Sequence, residues 1–199
     1  MQITHSMLFK FLTSILISLS LAACTPSLDW RTVRSDDLLY EALYPGKPSR
    51  AEKTVMFNSQ KLTMTMEASR VNDTLFAVGV INIPATAKGI DLKALKDFLQ
   101  NGMLSNLKTD QAPSPKTISV KTAGQPSYDL PAQEWVIQGL GPDGQQRLLR
   151  FRVVQRNLPD GQIQIYQQSI LQSLKNNLAV EKILRSDEHD MFFTGFKPY

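Results

Sequence analysis

The chain has 199 residues, of which 42% are hydrophobic and 20% charged, and this ordinary globular composition excludes collagen-like, disulfide-dense and wholly disordered chains. Removing Lys10 with the export signal predicted below reduces the 22 basic residues to 21 against 18 acidic ones, so the net charge is near +3. A charge so small and dispersed does not predict nucleic-acid binding, although its sign suits a position beside an anionic membrane surface.

The N-terminal segment has the order of a secretory signal. Lys10 supplies the positive flank, and the residues from there to Ala23 carry no charge. As a helix, this apolar stretch is shorter than the hydrocarbon core of a bilayer. We therefore expect a cleaved signal peptide over residues 1–23 rather than a permanent transmembrane helix. Met7 serves equally well as the translation start, because Lys10 still follows it.

The sequence Leu21-Ala22-Ala23-Cys24 closes this segment and contains the single cysteine of the chain. These four residues resemble the lipobox of bacterial lipoproteins. The resemblance implies that Cys24 receives a diacylglycerol, that the bond before it is cut, and that acyl chains such as palmitate anchor the protein in a membrane. Cys24 would then be unavailable for a disulfide, a thiolate metal site or a catalytic thiol. The alternative is a buried free thiol behind a generic signal.

Residues 24–29 form a short tether before the first strand-like residue, Trp30. Such a tether reaches at most about 20 Å, so the folded part is expected to lie close to the membrane that holds it. Lipoprotein sorting in many Gram-negative bacteria resembles a rule in which Asp directly after the lipidated cysteine retains the protein in the inner membrane. Thr25 stands at that position, which favours the outer membrane, with the protein facing the periplasm.

The first half of the remaining chain has the patterns of strands. Residues 39–44, 53–57 and 61–68 are predicted strands, and Asn72-Asp73 predicts a hairpin turn into the apolar run 75–81. The third strand alternates, with one apolar face formed by Leu62, Met64, Met66 and Ala68. The run after the turn is almost continuously apolar, as is typical of a central strand.

Residues 90–108 change to a helical period. Their apolar stripe recurs at steps of three or four residues, at Leu92, Leu95, Leu99 and Met103. A single amphipathic helix cannot bury its own apolar side. We therefore expect this helix to pack on a sheet.

Beyond a proline-containing break at residues 109–116, the strand pattern returns. The turn sequences Gly141-Pro-Asp-Gly144 and Leu158-Pro-Asp-Gly161 join neighbouring strands and predict an antiparallel meander. The tail over residues 175–196 has a helical pattern. The predicted strands of this half cover residues 116–122, 132–140, 146–155 and 162–168.

Two short motifs flank these elements, Tyr40-x-x-x-Tyr44-Pro45-Gly46-Lys47-Pro48 after an opening strand and Phe192-Phe193-x-x-Phe196-Lys197 at the end. Together with the meander and the mid-chain helix, they resemble the PsbP-like (PsbP/Mog-type) fold over residues 30–197. The resemblance implies an α-β-α sandwich and a binding or assembly-accessory module without a shared catalytic site. We therefore predict a single α+β domain over residues 30–199, with an antiparallel sheet of about six to eight strands and helices packed on it.

Arg150, Arg152 and Arg156 are expected on one face of a predicted strand, with apolar residues alternating between them. A row of guanidiniums suits the capture of phosphate or carboxylate, either on lipid headgroups or on an acidic partner. These three arginines are the predicted anion or partner surface. The alternative is an ordinary solvated sheet face.

Two further groups of residues are interpreted as structural. Met56, Met64 and Met66 could bind Cu(I) through their thioethers, but methionine more often fills core space. The segment Asp187-Glu188-His189-Asp190 places its histidine away from the two aspartates on a helix, which favours capping or a solvated face over a metal site. No metal or cofactor site is predicted.

The sequence contains no motif of a catalytic site, and His189 is the one histidine left after removal of the signal. We expect a non-enzymatic, membrane-tethered binding or assembly-accessory module of the cell envelope, acting with an unidentified envelope protein. The alternative is a carrier of a small ligand or lipid headgroup. A filled core would favour the accessory module, whereas a cavity of about 300 Å³ or more between helix and sheet would favour the carrier.

Overall fold

The computed structural model describes residues 28–87, 89–110, 114–174 and 180–199. The predicted signal peptide and the lipobox with Cys24 lie outside these residues, as do residues 24–27 of the predicted tether. Within the described ranges, no helix is both long enough and apolar enough to cross a bilayer.

Ten strands and three helices form the described part of the chain. In chain order they are β1 (Arg31–Ser35), β2 (Tyr40–Tyr44), β3 (Ser49–Phe57), β4 (Gln60–Val71), β5 (Thr74–Ile83), α1 (Leu92–Leu104), β6 (Lys116–Lys121), β7 (Asp129–Leu140), β8 (Gln146–Asn157), β9 (Ile163–Ser173), α2 (Val180–Leu184), α3 (Asp187–Thr194) and β10 (Lys197–Pro198).

The main sheet has seven strands in the order β3-β4-β5-β9-β8-β7-β6, and each neighbouring pair is antiparallel. The predicted hairpin at Asn72-Asp73 is confirmed, because Val71 pairs with Thr74 across it. Asn72 adopts a φ of 51°, a left-handed conformation that asparagine tolerates. The two predicted Pro-Asp-Gly turns are confirmed as well, and Gly144 and Gly161 supply their positive φ.

A second, three-stranded sheet has the order β1-β2-β10 and joins the two ends of the described chain. Lys197 pairs with Glu41, and the Tyr199 amide donates to the Leu39 carbonyl over 3.0 Å. This sheet packs with α3 on one face of the main sheet. The core between them contains Tyr40, Tyr44, Phe76, Val78, Tyr166, Phe192, Phe193 and Phe196.

The opposite face of the main sheet carries α1. Asp91 caps this helix by accepting hydrogen bonds from the amides of Lys93 and Ala94. Leu95 and Leu99 are buried, so the predicted helix and its apolar side are confirmed. They pack in a second core with Ile81, Leu107, Trp135, Ile137, Leu149, Phe151 and Ile165.

The expected α+β class with an α-β-α sandwich is wrong. The protein is mostly β, with antiparallel sheets of seven and three strands, and its described helices are short. Helices do not form a layer on each face, because the three-stranded sheet shares the face opposite α1 with α3. The aromatic residues of the Tyr40–Tyr44 and Phe192–Phe196 motifs meet there in a sheet-on-sheet core.

Candidate functional site

A groove remains on the α1 face because one helix cannot cover seven strands. Seven strands at the usual spacing span about 29 Å, whereas a helix with its side chains is about 10–12 Å wide. α1 begins beside the end of β5, and the chain after it bridges to β7 through Lys108 and Leu140. The helix therefore crosses the sheet diagonally and leaves parts of β4, β5 and β9 uncovered.

Small side chains on the central strands give the groove its depth. Ala77 and Gly79 on β5 and Ser169 on β9 form its floor. A β-carbon at Gly79 would lie 3.2 Å from the Met64 sulfur, so the glycine keeps this part of the floor low. Larger apolar side chains surround this floor. They are Met64 and Met66 on β4, Leu75 on β5 and Leu171 on β9.

The walls of the groove come from the edge strand β3 and from the C-terminal half of α1. The volume is about 440 Å³, within the usual range of small-molecule sites. Gly102 is exposed on the helix wall, and a β-carbon built on it meets no atom within 4 Å. The remaining wall residues include Val55, Met56, Phe98, Leu99 and Met103.

Few polar groups interrupt this apolar lining. The Gln167 side-chain amide donates to the Leu99 carbonyl on α1 over 3.4 Å, which connects the floor to the helix. Lys53 on β3 is the one charged side chain among the described residues that line the groove. An apolar groove with a few polar groups is the usual form of a small-ligand site.

The predicted arginine surface is largely buried. Arg150 and Arg152 do share one face of β8, but both side chains are only 12% exposed. Both guanidiniums pair with Glu134 of β7, over 3.2 and 2.5 Å, and both stack within 4.4 Å of the Phe193 ring. Arg152 also donates to the Phe193 carbonyl over 3.0 Å. An anion would have to compete with Glu134 for these two groups.

Glu134 is ionised in this position. Burial opposes its charge, but the positive charges and hydrogen bonds of Arg152 and Arg150 outweigh burial, so the pKa of Glu134 lies below its ordinary value. Arg156, the third predicted residue, donates to the Tyr199 carbonyl at the C-terminus. The structure therefore places all three arginines in contacts that hold the C-terminal elements on the sheet.

A second cavity of about 400 Å³ lies beside α3, on the other side of the main sheet. Its lining includes Leu28, Asn72, Gln172 and His189. His189 is 1% exposed, and its Nε2 lies 3.0 Å from the Gln172 side-chain oxygen. Burial lowers the pKa of His189 to about 4, and the positive charge of Arg150 acts in the same direction. The imidazole is therefore neutral near pH 7.

The acidic residues around His189 belong to the first turn of α3, and the Ser186 side chain caps the helix. This arrangement agrees with the capping interpretation. Across the described ranges, no three His, Cys, Asp or Glu side chains lie close enough together to hold a metal ion. Met56, Met64 and Met66 all line the groove, and Met64 is buried.

From the sequence, a cavity between helix and sheet is expected only under the carrier alternative, and Met56, Met64 and Met66 are interpreted as core residues rather than as groove lining. The detectable signals of the groove were small residues at apolar positions, namely Ala77 and Gly79 in the predicted central strand and Gly102 in the predicted helix. The diagonal course of α1, which leaves these positions uncovered, depends on contacts between distant parts of the chain. No known protein family matches the sequence, and no curated protein is significantly similar to it.

Proposed function

We propose that this protein is a membrane-tethered lipoprotein of the cell envelope that binds a small apolar ligand in the groove between α1 and the main sheet. The observation that carries the proposal is the groove itself, at about 440 Å³ and with a mostly apolar lining. Its methionines suit a flexible ligand, because unbranched thioether side chains adapt to irregular shapes. Cys24 would supply the membrane anchor.

The position of Leu28, the first described residue, supports access of the groove to the membrane. Leu28 lies near Asn72 at the β4–β5 hairpin, and Leu75 of the groove follows that hairpin closely. The predicted tether would therefore leave the folded part at the same end of the sheet as one end of the groove. A ligand in the adjacent bilayer would have a short path to this end.

The groove favours a ligand carrier over an assembly accessory that presents only a surface. An accessory role requires no open volume inside the fold, whereas a carrier requires a cavity of about this size. Phe98, one of the exposed large apolar side chains of the described residues, also lies on the groove wall.

A photoreactive alkyl alcohol tests the proposal in the full-length protein, held in phospholipid nanodiscs. Irradiation should crosslink the probe to peptides of β4, β5, β9 and α1, as identified by mass spectrometry. The Gly102→Leu variant should lose at least about nine-tenths of this labelling, because leucine would project into the open space of the groove. Its fold should persist, since leucine has a higher helix propensity than glycine by up to about 1 kcal/mol.

Gly102→Ala is the matched control. Alanine gives a similar gain in helix propensity but adds only one methyl group, so labelling should remain close to that of the wild type. Equal labelling of the wild type and Gly102→Leu, or labelling confined to peptides outside the groove, would contradict the proposal.

A further inference from the structure

Lys53 occupies a distinctive position on the groove. It lies on the edge strand β3, directly opposite Met64 of β4, and therefore faces the same side of the sheet as the groove floor. No hydrogen bond or ion pair joins its ammonium group to another residue in the described part of the chain. The lining also contains no carboxylate there, so an acidic group brought by a ligand would meet one cation and no like charge.

The groove has the dimensions of one extended chain. It runs along β4 from Met64 to the level of Leu75, which pairs with Arg70, and the six steps from residue 64 to residue 70 span about 20 Å. Its volume of about 440 Å³ lies within the usual range of small-molecule sites, and a groove of this length between the edge strand and one helix suits an extended alkyl chain.

The one cation of the lining lies toward one end of the groove, and the exposed Arg70, opposite Leu75 at the other end, is not among the lining residues. Lys53 lies at the Met64 end, whereas Leu75, Leu149 and Leu171 lie together at the other end. This separation of one cation from an apolar channel complements an amphiphile that has an acidic head and an apolar tail. A neutral alkane would leave Lys53 without a counter-charge.

We infer that the groove selects a free, single-chain alkyl carboxylate, with the carboxylate at Lys53 and the chain extending toward Leu171. This inference rests on the proposed function and names its ligand class. Lys53 is a specificity-determining residue in this arrangement, because its ion pair distinguishes a carboxylate from an alcohol of equal length. The apolar lining binds the chain of either compound.

Competition against the photoreactive alcohol tests the inference in the same nanodiscs. Laurate should displace the probe from the wild type at about fivefold lower concentration than dodecanol does, the effect expected of one partly exposed ion pair. Lys53→Gln should remove this advantage, so that laurate and dodecanol displace the probe at similar concentrations. Lys61→Gln is the matched control, because Lys61 is an exposed lysine on the opposite face of the same strand pair.

The outcomes separate the two claims. Equal displacement by laurate and dodecanol from the wild type, or an unchanged laurate advantage in Lys53→Gln, would overturn the inference and leave the proposed function in place. Equal losses in Lys53→Gln and Lys61→Gln would also overturn it, because net charge alone would then explain the preference. Displacement by dilauroyl phosphatidylglycerol as strong as that by laurate would overturn the single-chain assignment. Failure of every alkyl compound to displace the probe would overturn the proposed function together with the inference.

Discussion

His189 is buried where α3 packs against β9, and its Nε2 lies beside the side-chain oxygen of Gln172. That oxygen accepts hydrogen bonds, so the neutral ring carries its proton on Nε2. Burial, the largest cause, and the positive charge of Arg150 lower its pKa to about 4, although Glu188 and Asp190 act in the opposite direction. Protonation would place a second cation beside Arg150 in a poorly hydrated position. The residue therefore contributes to packing in its neutral form.

This burial predicts a pH dependence of stability. The pKa of His189 is about 4 in the folded protein and near its ordinary value of 6.5 in the unfolded chain, so the unfolded chain binds the proton more tightly. The stabilisation is complete above pH 6.5 and falls by about 3 kcal/mol as the pH is lowered from 6.5 to 4. Urea unfolding across this range should show the loss in the wild type and a much smaller loss in His189→Gln. Parallel curves for the two proteins would contradict the assignment.

The strand face of Arg150 and Arg152 could be predicted from the sequence, but the burial of their ion pairs with Glu134 could not. Alternation along the strand placed Arg150 and Arg152 on one face, and the structure has them there. Their burial depends on Glu134, which lies directly opposite Arg152 in the β7–β8 register, and on Phe193 from a distant helix. A local sequence pattern does not encode strand register or long-range packing. The anion surface predicted from the sequence is therefore more exposed than the two arginines are in the structure.

Among the elements, α1 both closes the second core and forms one wall of the groove. Its buried side is formed by Leu95 and Leu99, while Lys93 lies on the solvent side and pairs with Asp97 over 2.8 Å. Phe98 and Gly102 of the same helix contribute to the groove wall. The helix therefore needs its apolar anchor for the groove to keep its shape.

Truncation of the anchor should be costly. Leu95→Ala removes a fully buried side chain and should lower the free energy of unfolding by about 2–5 kcal/mol. Lys93→Ala removes one exposed ion pair and should change it by less than about 0.5 kcal/mol. Chemical denaturation of both variants measures the difference. Equal stabilities would mean that α1 does not pack on the sheet through this side.

Local periodicity predicted most individual elements of the main sheet, because a buried or half-buried strand repeats every two residues and the α1 stripe recurs at steps of three or four. It predicted β2 of the three-stranded sheet but not β1, β10 or their assembly with β2. β10 has only two residues, and its pairing with Glu41 and Tyr40 closes a loop of more than a hundred residues. The same failure misplaced Glu67, which alternation assigned to a polar face. The three-stranded sheet covers it, and it accepts hydrogen bonds from Tyr40 and Ser35.

For the molecule as a whole, the two faces of the main sheet have different roles. The face that carries α3 and the three-stranded sheet is closed by aromatic packing and by the C-terminal residues. The face that carries α1 contains the groove. The proposed carrier function would use the groove face, whereas the closed face joins the two ends of the described chain.

The predicted anchor can be tested independently of the groove. Cys24→Ala should leave an uncut or differently processed precursor without lipid, because Cys24 would be the site of both modification and cleavage in the predicted lipobox. Mass spectrometry of the N-terminal peptide and fractionation of the two membranes measure these effects, with the wild type expected in the outer membrane. A free Cys24 thiol in membrane-extracted wild-type protein would contradict lipidation, and wild-type protein found only in the inner membrane would contradict the location.

Ligand binding in the groove is tested most directly by nuclear magnetic resonance of methyl-labelled methionines, during titration of the full-length protein in nanodiscs with dodecanol. Met64, Met66 and Met103 line the groove, whereas Met191 lies on α3 at the opposite face and serves as an internal control. Dodecanol should shift the methyl signals of the three groove methionines in a saturable manner and leave that of Met191 unchanged. Unchanged groove signals at saturating dodecanol, or shifts confined to Met191, would contradict ligand binding in the groove.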